Sequence, residues 1–288
     1  MSAALEQPRF PEAGAPLSVL VDFDGTISLA DVGDALLARF APDQDAVAEM
    51  DRRYEEGSVG SRALIRWDMD VLPRDRALLT RAATEIAIDR SFVDLVDVVE
   101  RARGVVEVVS DGLGFHITPM LETVGLGRLP VATNLAEAGR GGDAVAFPYG
   151  HPTCRVCGTC KRERVRLHRN AGRAVVFVGD GTSDRYAAHH ADVVAAKDGL
   201  AAYCERAGLP FVPWRRLGDV ASWVRAALAD GRLPGDRAAF VAWAAERQTE
   251  PEVFICGPEA WGDEAAELPP AIGGGREGSR EGVAVSDG

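Results

Sequence analysis

Three short apolar runs, each ending abruptly in small polar or acidic residues, constrain the fold of this chain more than any other feature. The runs are LSVLV before DFDGT, VVEVV before SDG, and AVVFV before GDGTSD. Continuous apolar runs of this length are typical of strands buried on both faces of a parallel sheet. Helical patterns separate them, which predicts an α/β fold with a doubly wound, mostly parallel sheet. Ligands bind at the carboxyl ends of such strands, so the polar turns mark the expected site.

The segment between the first two runs is helical. From 30 to 103, apolar residues recur at three- and four-residue spacing, which predicts a small helical cap domain inserted after the first strand. The catalytic core is then expected at 17–29 and 104–230. The other predicted units are a flexible leader at 1–16, a C-terminal helical extension at 231–261 and a disordered tail, rich in Gly, Pro and charge, at 262–288.

Charge and composition exclude several classes of partner. The chain has 32 basic and 44 acidic side chains, a formal net charge of −12, which argues against a nucleic-acid partner. No apolar run approaches the roughly 18 residues that span a bilayer, and no secretory signal is expected at the N-terminus. Five cysteines, an odd number, fit a reduced, cytoplasmic protein better than a disulfide framework. The sequence does not distinguish a monomer from a homodimer.

The first polar turn, DFDGT, holds two carboxylates, Asp22 and Asp24. On an extended strand they share one side, while Phe23 between them faces the core. Their charges repel unless a cation lies between them, and Mg²⁺ is a hard ion that prefers oxygen ligands. One carboxylate can then attack phosphorus while the other handles the leaving-group proton. The alternatives are a plain acidic turn and a calcium loop, but the remaining ligands of a calcium loop do not follow Gly25.

The third polar turn, GDGTSD, adds Asp180 and Asp184. Gly181 lets the backbone approach a ligand closely, and the turn does not match the glycine pattern of dinucleotide sites. An aspartate that caps the following helix is the alternative interpretation. Because Asp22 and Asp24 are expected at the same sheet edge, the sequence predicts Asp180 as a further ligand of a magnesium site.

Ser110 and Lys161 lie between these two clusters in the sequence. The Ser110 hydroxyl, together with the amides of Asp111 and Gly112, is suited to bind phosphate oxygens at the end of the second run. Lys161 precedes a helical segment and can neutralise phosphate charge or hold a nucleophile. Taken singly, each is also an ordinary strand-end serine or surface lysine.

In this order, the four motifs resemble those of the haloacid-dehalogenase-type phosphatases over residues 17–230. The resemblance implies that Asp22 is the nucleophile and Asp24 the general acid and base, with Ser110 and Lys161 on the transferring phosphoryl group. It also implies one Mg²⁺ ion. Its implied ligands are the carboxylates of Asp22 and Asp180 and the backbone carbonyl of Asp24, with Asp184 in support.

Within that superfamily, the position of the helical insertion resembles the helical-capped branch that includes the phosphoserine phosphatases. The cysteine-rich run before Lys161 and the segment after GDGTSD are similar to the methionine-salvage phosphatases, which act on a phosphorylated ketone with a methylthio group. Asp31 falls where the phosphoserine phosphatases place a glutamate that recognises the substrate amine, so it is a candidate substrate-binding residue. The implied partner is a small phosphorylated metabolite: a methionine-salvage ketone phosphate or, alternatively, phosphoserine or another metabolite phosphate.

The histidines and cysteines leave alternatives open. A compact run of four metal-capable side chains precedes Lys161, but its spacing fits neither a usual zinc site nor an iron–sulfur site. Thiols that shape the approach to Lys161 are the main interpretation, with a soft metal or a redox pair still open for His151, Cys154, Cys157 and Cys160. The other histidines are expected at the surface or as satisfied core residues: His116, His168, His189 and His190.

Three functions therefore remain: phosphomonoester hydrolysis, phosphoryl transfer as in mutases, and a non-catalytic metal or redox module on the same scaffold. The complete set of carboxylates with Lys161 argues against the module. Several cap arginines are able to bind a charged substrate group, although such residues more often form solvated helix faces: Arg39, Arg52, Arg53, Arg62 and Arg66.

Overall fold

The computed structural model of the protein describes residues 17–152, 154–231 and 233. The predicted leader at 1–16 and the predicted tail at 262–288 lie outside the described residues, as does nearly all of the predicted helical extension at 231–261. None of the helices described here is both long and apolar enough to cross a membrane.

The strands follow the apolar runs of the sequence. Those described are β1 Leu17–Val21, β2 Val105–Val109, β3 Val131–Ala132, β4 Leu135–Ala136, β5 Val145–Ala146, β6 Ala174–Gly179, β7 Val193–Ala196 and β8 Val212–Pro213. Six of them form one sheet in the order β3-β2-β1-β6-β7-β8, in which every neighbouring pair is parallel. The remaining two, β4 and β5, pair antiparallel as a small separate hairpin.

The helices fill the intervals between the strands. They are α1 Val32–Phe40, α2 Gln44–Glu55, α3 Ser61–Val71, α4 Arg76–Thr84, α5 Phe92–Arg101, α6 Ile117–Glu122, α7 Lys161–Asn170, α8 Arg185–Ala188, α9 Asp198–Ala207 and α10 Leu217–Ala229. The predicted α/β class with a doubly wound, mostly parallel sheet is thereby confirmed.

The pleat of the central strands explains why helices cover both faces of the sheet. On β1, Val19 and Val21 join the larger core cluster, whereas Leu20 points to the opposite face. On β6, Val176 joins the larger cluster and Phe177 the opposite one. Since successive side chains of a strand alternate between faces, continuously apolar strands need cover on both sides.

The helical segment after β1 divides between two environments. Helices α1 to α4 contact one another, and α3 and α4 also contact 142–144 and α6, respectively. Helix α5 packs against α10, β1 and β2 and so belongs to the layer on the sheet. Helices α1, α2 and α4 each begin at an aspartate whose side chain accepts a hydrogen bond from the first turn, as expected of an N-cap. The boundaries of the predicted cap and core, 30–103 and 17–29 with 104–230, stay a prediction.

Candidate active site

A cavity of about 290 Å³ opens where the carboxyl ends of β1, β2 and β6 meet the first cap helices. Its lining includes Asp22 after β1, Asp111 after β2, Lys161 at the start of α7 and Asp180 after β6. The parallel order β2-β1-β6 brings these distant segments to one edge of the sheet. The location is the one expected for ligand sites of open α/β sheets.

Lys161 joins the nucleophile candidate to the third motif. Its Nζ donates hydrogen bonds to Asp22 Oδ1 at 2.6 Å, to Asp184 Oδ1 at 2.7 Å and to Ser183 Oγ at 2.8 Å. The lysine is only 3% exposed, and Asp22 and Asp184 are buried as well. Because two carboxylates share one ammonium, they raise the pKa of Lys161 despite its burial, and the lysine stays charged.

The surroundings of Asp22 favour the neutral form of its carboxyl group, whereas those of Lys161 favour the charged form of its amine. Desolvation and the neighbouring Asp184 carboxylate raise the pKa of Asp22 well above its usual range, although Lys161 counteracts them. Desolvation and Asp184 also raise the pKa of Asp180, to about 6. This edge of the sheet therefore carries more buried negative charge than one lysine neutralises.

The donor set fits a hard divalent cation. One oxygen each from Asp22, Asp180 and Asp184 lies within 4.8 Å of the other two. Carboxylate oxygens at such spacing are the ligands that Mg²⁺ and similar ions prefer. In the part of the chain that the structure describes, no other group of three His, Cys, Asp or Glu side chains meets this spacing.

Local geometry holds Asp180 against the first motif. Thr26 Oγ1 donates to Asp180 Oδ1 at 2.6 Å, and Gly25 adopts a φ of +74° directly beside the same carboxylate. A Cβ at Gly25 would collide with Asp180 Oδ2, so the turn needs glycine for both its backbone angle and its close approach. In the turn after β6, the Asp184 carboxylate accepts hydrogen bonds from the backbone amides of Asp180 and Gly181, each at 3.0 Å.

Asp24 occupies a different environment from Asp22. Its Oδ1 accepts the Val32 amide at 3.2 Å and lies 3.5 Å from His116 Nε2, while its Oδ2 accepts the Ser110 hydroxyl at 3.2 Å. Desolvation acts to raise the pKa of Asp24, but the contacts with His116, Val32 and Ser110 outweigh it, and the pKa is lowered. Gly112 approaches so closely that a Cβ there would overlap Asp24 Oδ2.

His116 is the functional-site residue that the sequence interpretation missed. It is fully buried between the Phe23 and Phe115 rings, with centroid distances of 5.6 and 5.4 Å, and its ring faces Asp24. The expectation of a surface or fully satisfied histidine is wrong here, since neither ring nitrogen has a hydrogen-bond partner among the described residues. The available signal was its position six residues after Ser110, in a loop that returns to the same strand end.

Two predicted phosphate-binding residues hold other structural contacts. The Asp111 carboxylate accepts Ser61 Oγ of the cap and the Thr159 amide, each at 2.6 Å, and it also binds Asn134. It therefore joins cap helix α3 to the loop before Lys161. Asp31 lines the cavity, as predicted for substrate recognition, and also caps α1 by accepting the Asp34 amide at 2.9 Å.

The cysteine-rich run leads directly into α7, which begins at Lys161. Cys154 and Cys160 are buried, Cys157 is half-buried, and Cys160 directly precedes α7. His151 Nδ1 accepts the Cys154 amide at 3.1 Å. Among the described residues, these side chains do not form a group of three metal-capable atoms within 4.8 Å of one another, and their role stays a prediction.

The remaining histidines are packed or paired. His168 contacts Ser18 Oγ at 2.8 Å and Glu107 Oε2 at 2.6 Å beneath the sheet, as expected of a satisfied core residue. His189 pairs with Tyr203 at the surface, and His190 is buried.

Comparison with known families and proteins agrees with this geometry. The model of the family described as Putative Phosphatase matches residues 17–203. A 2-hydroxy-3-keto-5-methylthiopentenyl-1-phosphate phosphatase from Exiguobacterium sibiricum is 26% identical over 212 residues, covering 71% of this chain and 94% of that protein. A protein of the same name from Bacillus pumilus is 28% identical over 198 residues, covering 66% of this chain and 83% of that protein.

Among solved structures, the fold is similar to phosphoserine phosphatases. One, a phospho-aspartyl intermediate analogue, has a TM-score of 0.57 at 20% identity and covers 72% of this chain and 98% of its own. Another, from T. onnurineus, has a TM-score of 0.53 at 15% identity and covers 76% and 98%. The chain therefore belongs to the Putative Phosphatase family, within the haloacid dehalogenase superfamily, and is a phosphatase.

Proposed function

We propose that the protein is a Mg²⁺-dependent phosphomonoester hydrolase in which Asp22 takes the phosphoryl group as an aspartyl-phosphate. One observation carries the proposal: Asp22 lines the cavity at the end of β1 with Oδ1 held by Lys161. Its Oδ2 has no hydrogen-bond partner among the described residues, which leaves one carboxylate oxygen for attack on phosphorus. A nucleophile fixed on one oxygen needs little reorganisation before it reacts.

Magnesium would be held by the carboxylates of Asp22 and Asp180 and by the backbone carbonyl of Asp24, with Asp184 keeping the loop in place. When bound, it supplies positive charge that offsets the charge of the transferring phosphoryl group. The crowding of Asp22, Asp180 and Asp184 supports this assignment, because their oxygens lie within 4.8 Å of one another. Lys161 contributes the second positive charge and counteracts the burial and the Asp184 charge that raise the pKa of Asp22.

Asp24 would act as the general acid and base. In the first step it donates a proton to the leaving alcohol oxygen, and in the second it takes a proton from the water that cleaves the aspartyl-phosphate. Its hydrogen bonds with the Val32 amide and Ser110 fix the carboxylate beside the cavity, and His116 lies behind it. These contacts favour the ionised form in the free protein. A dianionic phosphate ester beside Asp24 works in the opposite direction and favours the protonated form.

The Ser110 hydroxyl and the amides of Asp111 and Gly112 would bind phosphoryl oxygens together with Lys161. Ser110 Oγ already accepts the Gly112 amide at 3.1 Å, which keeps this loop compact. Closure of the cap over the cavity would exclude water from the first step. The contact between Ser61 of the cap and Asp111 of the core supports a cap that docks against this loop.

The substrate would be a small phosphorylated metabolite. The names of the relatives make the methionine-salvage ketone phosphate the first candidate to test, and the fold neighbours make phosphoserine the second. A cytoplasmic location and the oligomeric state stay predictions.

Replacement of the nucleophile tests the reaction. Asp22→Asn protein should lose p-nitrophenyl phosphatase activity by a factor on the order of 10³ or more in the presence of Mg²⁺. Asp45→Asn is the matched control, because it removes the same charge from an exposed position on α2, away from the cavity. A folded Asp22→Asn protein with parental activity would contradict the mechanism. Hydrolysis in ¹⁸O-labelled water should place solvent oxygen in inorganic phosphate, whereas a mutase would not.

A further inference from the structure

Arg62, the second residue of cap helix α3, binds a segment of the core. The sequence leaves Arg62 open as a substrate-binding residue, but it is not among the described residues that line the cavity. Its guanidinium donates from Nε to the Cys157 carbonyl at 2.8 Å and from a terminal nitrogen to the Cys154 carbonyl at 3.2 Å. Its backbone amide donates to the Val156 carbonyl at 3.0 Å. One cap residue therefore binds three carbonyls of the segment that leads to α7.

This segment, residues 154–160, is named the lysine loop here because Lys161 follows it directly. The loop, described throughout, contains no helix or strand, and most of its residues are buried. Backbone carbonyls in such a segment need partners that secondary structure does not supply. The planar Arg62 guanidinium can donate to two carbonyls at once, in a fork that a lysine ammonium does not reproduce. The Phe147 ring, whose centroid lies 5.2 Å from the guanidinium carbon, supports it from one side.

The far end of the lysine loop is bonded to the second motif. The Thr159 amide donates to Asp111 Oδ1 at 2.6 Å. Ser61 Oγ, next to Arg62 in α3, donates to Asp111 Oδ2 at 2.6 Å and accepts the Gly158 amide at 3.0 Å. The cap, the lysine loop and Asp111 therefore form one connected set of hydrogen bonds.

A second route reaches the same phosphate-binding turn. Thr159 Oγ1 donates to Asn134 Oδ1 at 3.2 Å, and Asn134 Nδ2 donates to the Gly112 carbonyl at 2.9 Å. Asp111 and Gly112 carry the amides proposed to bind phosphoryl oxygens, and Lys161 begins α7 immediately after the loop. Both groups that would hold the phosphoryl group are therefore attached to the lysine loop.

We propose that Arg62 is a positioning residue for the phosphoryl site, holding the lysine loop so that Lys161 and the amides of 111–112 converge on one phosphoryl group. The inference rests on the proposed function and deepens it. Arg62 acts through the loop and has no contact with the substrate. A misplacement on the order of 1 Å at a reacting group costs about a hundredfold in rate. Because the cap supplies this arginine, the phosphoryl site is complete only when α3 is docked on the core.

Arg66 provides a matched control one turn further along the same helix. Its guanidinium carbon lies 4.9 Å from the centroid of the same Phe147 ring. Among the described residues, however, its side chain donates no hydrogen bond to the lysine loop. Arg62→Met and Arg66→Met therefore remove the same charge and the same kind of ring contact, but only Arg62→Met releases the loop.

The inhibition constant of inorganic phosphate, measured with p-nitrophenyl phosphate as substrate and Mg²⁺ present, separates positioning from stability. The constant does not depend on how much of the protein is active, so a variant that only loses folded protein leaves it unchanged. In Arg62→Met the constant should rise, and kcat/KM for p-nitrophenyl phosphate should fall, by about tenfold to a hundredfold. Arg66→Met should change both by less than about threefold.

Arg62→Lys is a second variant and keeps the inference testable if Arg62→Met protein does not fold. Lysine keeps the charge but does not bridge the carbonyls of Cys154 and Cys157, so the inhibition constant should rise by about threefold or more. A folded Arg62 variant with the parental inhibition constant would overturn the inference. So would an equal rise in Arg66→Met, which would assign the effect to the Phe147 contact that both arginines share.

Failure of the proposed function gives a different result. A parent protein that does not hydrolyse p-nitrophenyl phosphate with Mg²⁺ would overturn the proposed function and the inference with it. Turnover by the parent protein, combined with parental inhibition constants in the Arg62 variants, would overturn only the inference.

Discussion

Removal of the Lys161 ammonium should destabilise the protein far more than removal of the Asp22 carboxylate that it binds. Lys161 is 3% exposed and is shared between Asp22 at 2.6 Å and Asp184 at 2.7 Å. Lys161→Met fills the same space but leaves two buried carboxylates without their cation. Breaking a buried pair in this way costs about 3–5 kcal/mol. That is a large share of the roughly 5–15 kcal/mol that stabilises a typical domain.

Asp22→Asn should behave differently because the remaining charges balance. Lys161 keeps its ion pair with Asp184 and its hydrogen bond to Ser183, and one of several crowded carboxylates disappears. We expect the free energy of unfolding to change by less than about 1 kcal/mol. The asymmetry between the two partners of one ion pair follows from the ratio of two carboxylates to one lysine.

Urea unfolding of each variant in EDTA measures these changes, with tryptophan fluorescence and circular dichroism as independent probes. Lys197→Met is the control, since Lys197 is partly exposed and lies 4.5 Å from the Trp214 ring centroid, a contact worth about 0.5–1 kcal/mol. An Asp22→Asn protein destabilised as much as Lys161→Met would refute the reasoning, as would a Lys161→Met change no larger than that of Lys197→Met.

Three further predictions concern the neighbours of the site. His116→Phe keeps an aromatic ring beside Phe23 but removes the contact with Asp24, so kcat for an alkyl phosphate should fall by about tenfold. The kcat for dinitrophenyl phosphate should change little, because its leaving group needs no proton. Equal losses for both substrates would contradict a role of His116 in positioning Asp24. Ser61→Ala removes the hydroxyl that donates to the buried Asp111 carboxylate at 2.6 Å. The free energy of unfolding, measured by urea titration, should therefore fall by about 1–3 kcal/mol. No measurable change would refute the contact between cap and core. Asp68→Asn should stabilise the substrate-free protein at pH 7, because the raised pKa of Asp68 means that ionisation in the folded state opposes folding. The gain should appear as the pH rises above about 3.9, the ordinary aspartate pKa, and vanish below it. Thermal unfolding of both proteins across this range checks it, and a loss of stability in Asp68→Asn at the higher pH values would show instead that Asp68 is paired.

The sheet could be predicted from the sequence because its strands are buried on both faces. LSVLV and VVEVV are apolar runs with one polar residue each, and they coincide with β1 and β2. The sequence pattern does not define the hairpin of β4 and β5, because each strand has only two residues. Its neighbourhood is fixed by a tertiary contact, in which Asp70 of α3 accepts the Gly142 amide at 2.7 Å. In the same way, the amphipathic pattern of α5 predicts a helix but not its partner α10.

The residues of the site were likewise predictable from the sequence only where they belong to local motifs. Asp22 and Asp180 belong to local motifs at strand ends, so the sheet order was enough to bring them together, whereas Lys161 reaches them from the start of α7. His116 has no spacing pattern, and its contact with Asp24 depends on how the loop after β2 folds back. In the sequence, three acidic residues of the cap helices resemble ordinary charges on helix surfaces: Asp34, Asp51 and Asp68. They line one cavity only because α1, α2 and α3 pack side by side.

The stereochemical outcome at phosphorus tests the central claim most directly. Attack by Asp22 and then by water comprises two in-line displacements, each of which inverts phosphorus. Turnover in ¹⁷O-labelled water of a phosphorothioate ester made chiral at phosphorus with ¹⁶O and ¹⁸O should therefore give inorganic thiophosphate with net retention, whether or not the acyl intermediate at Asp22 accumulates. Net inversion would show that water attacks the substrate directly, and it would contradict Asp22 as the nucleophile.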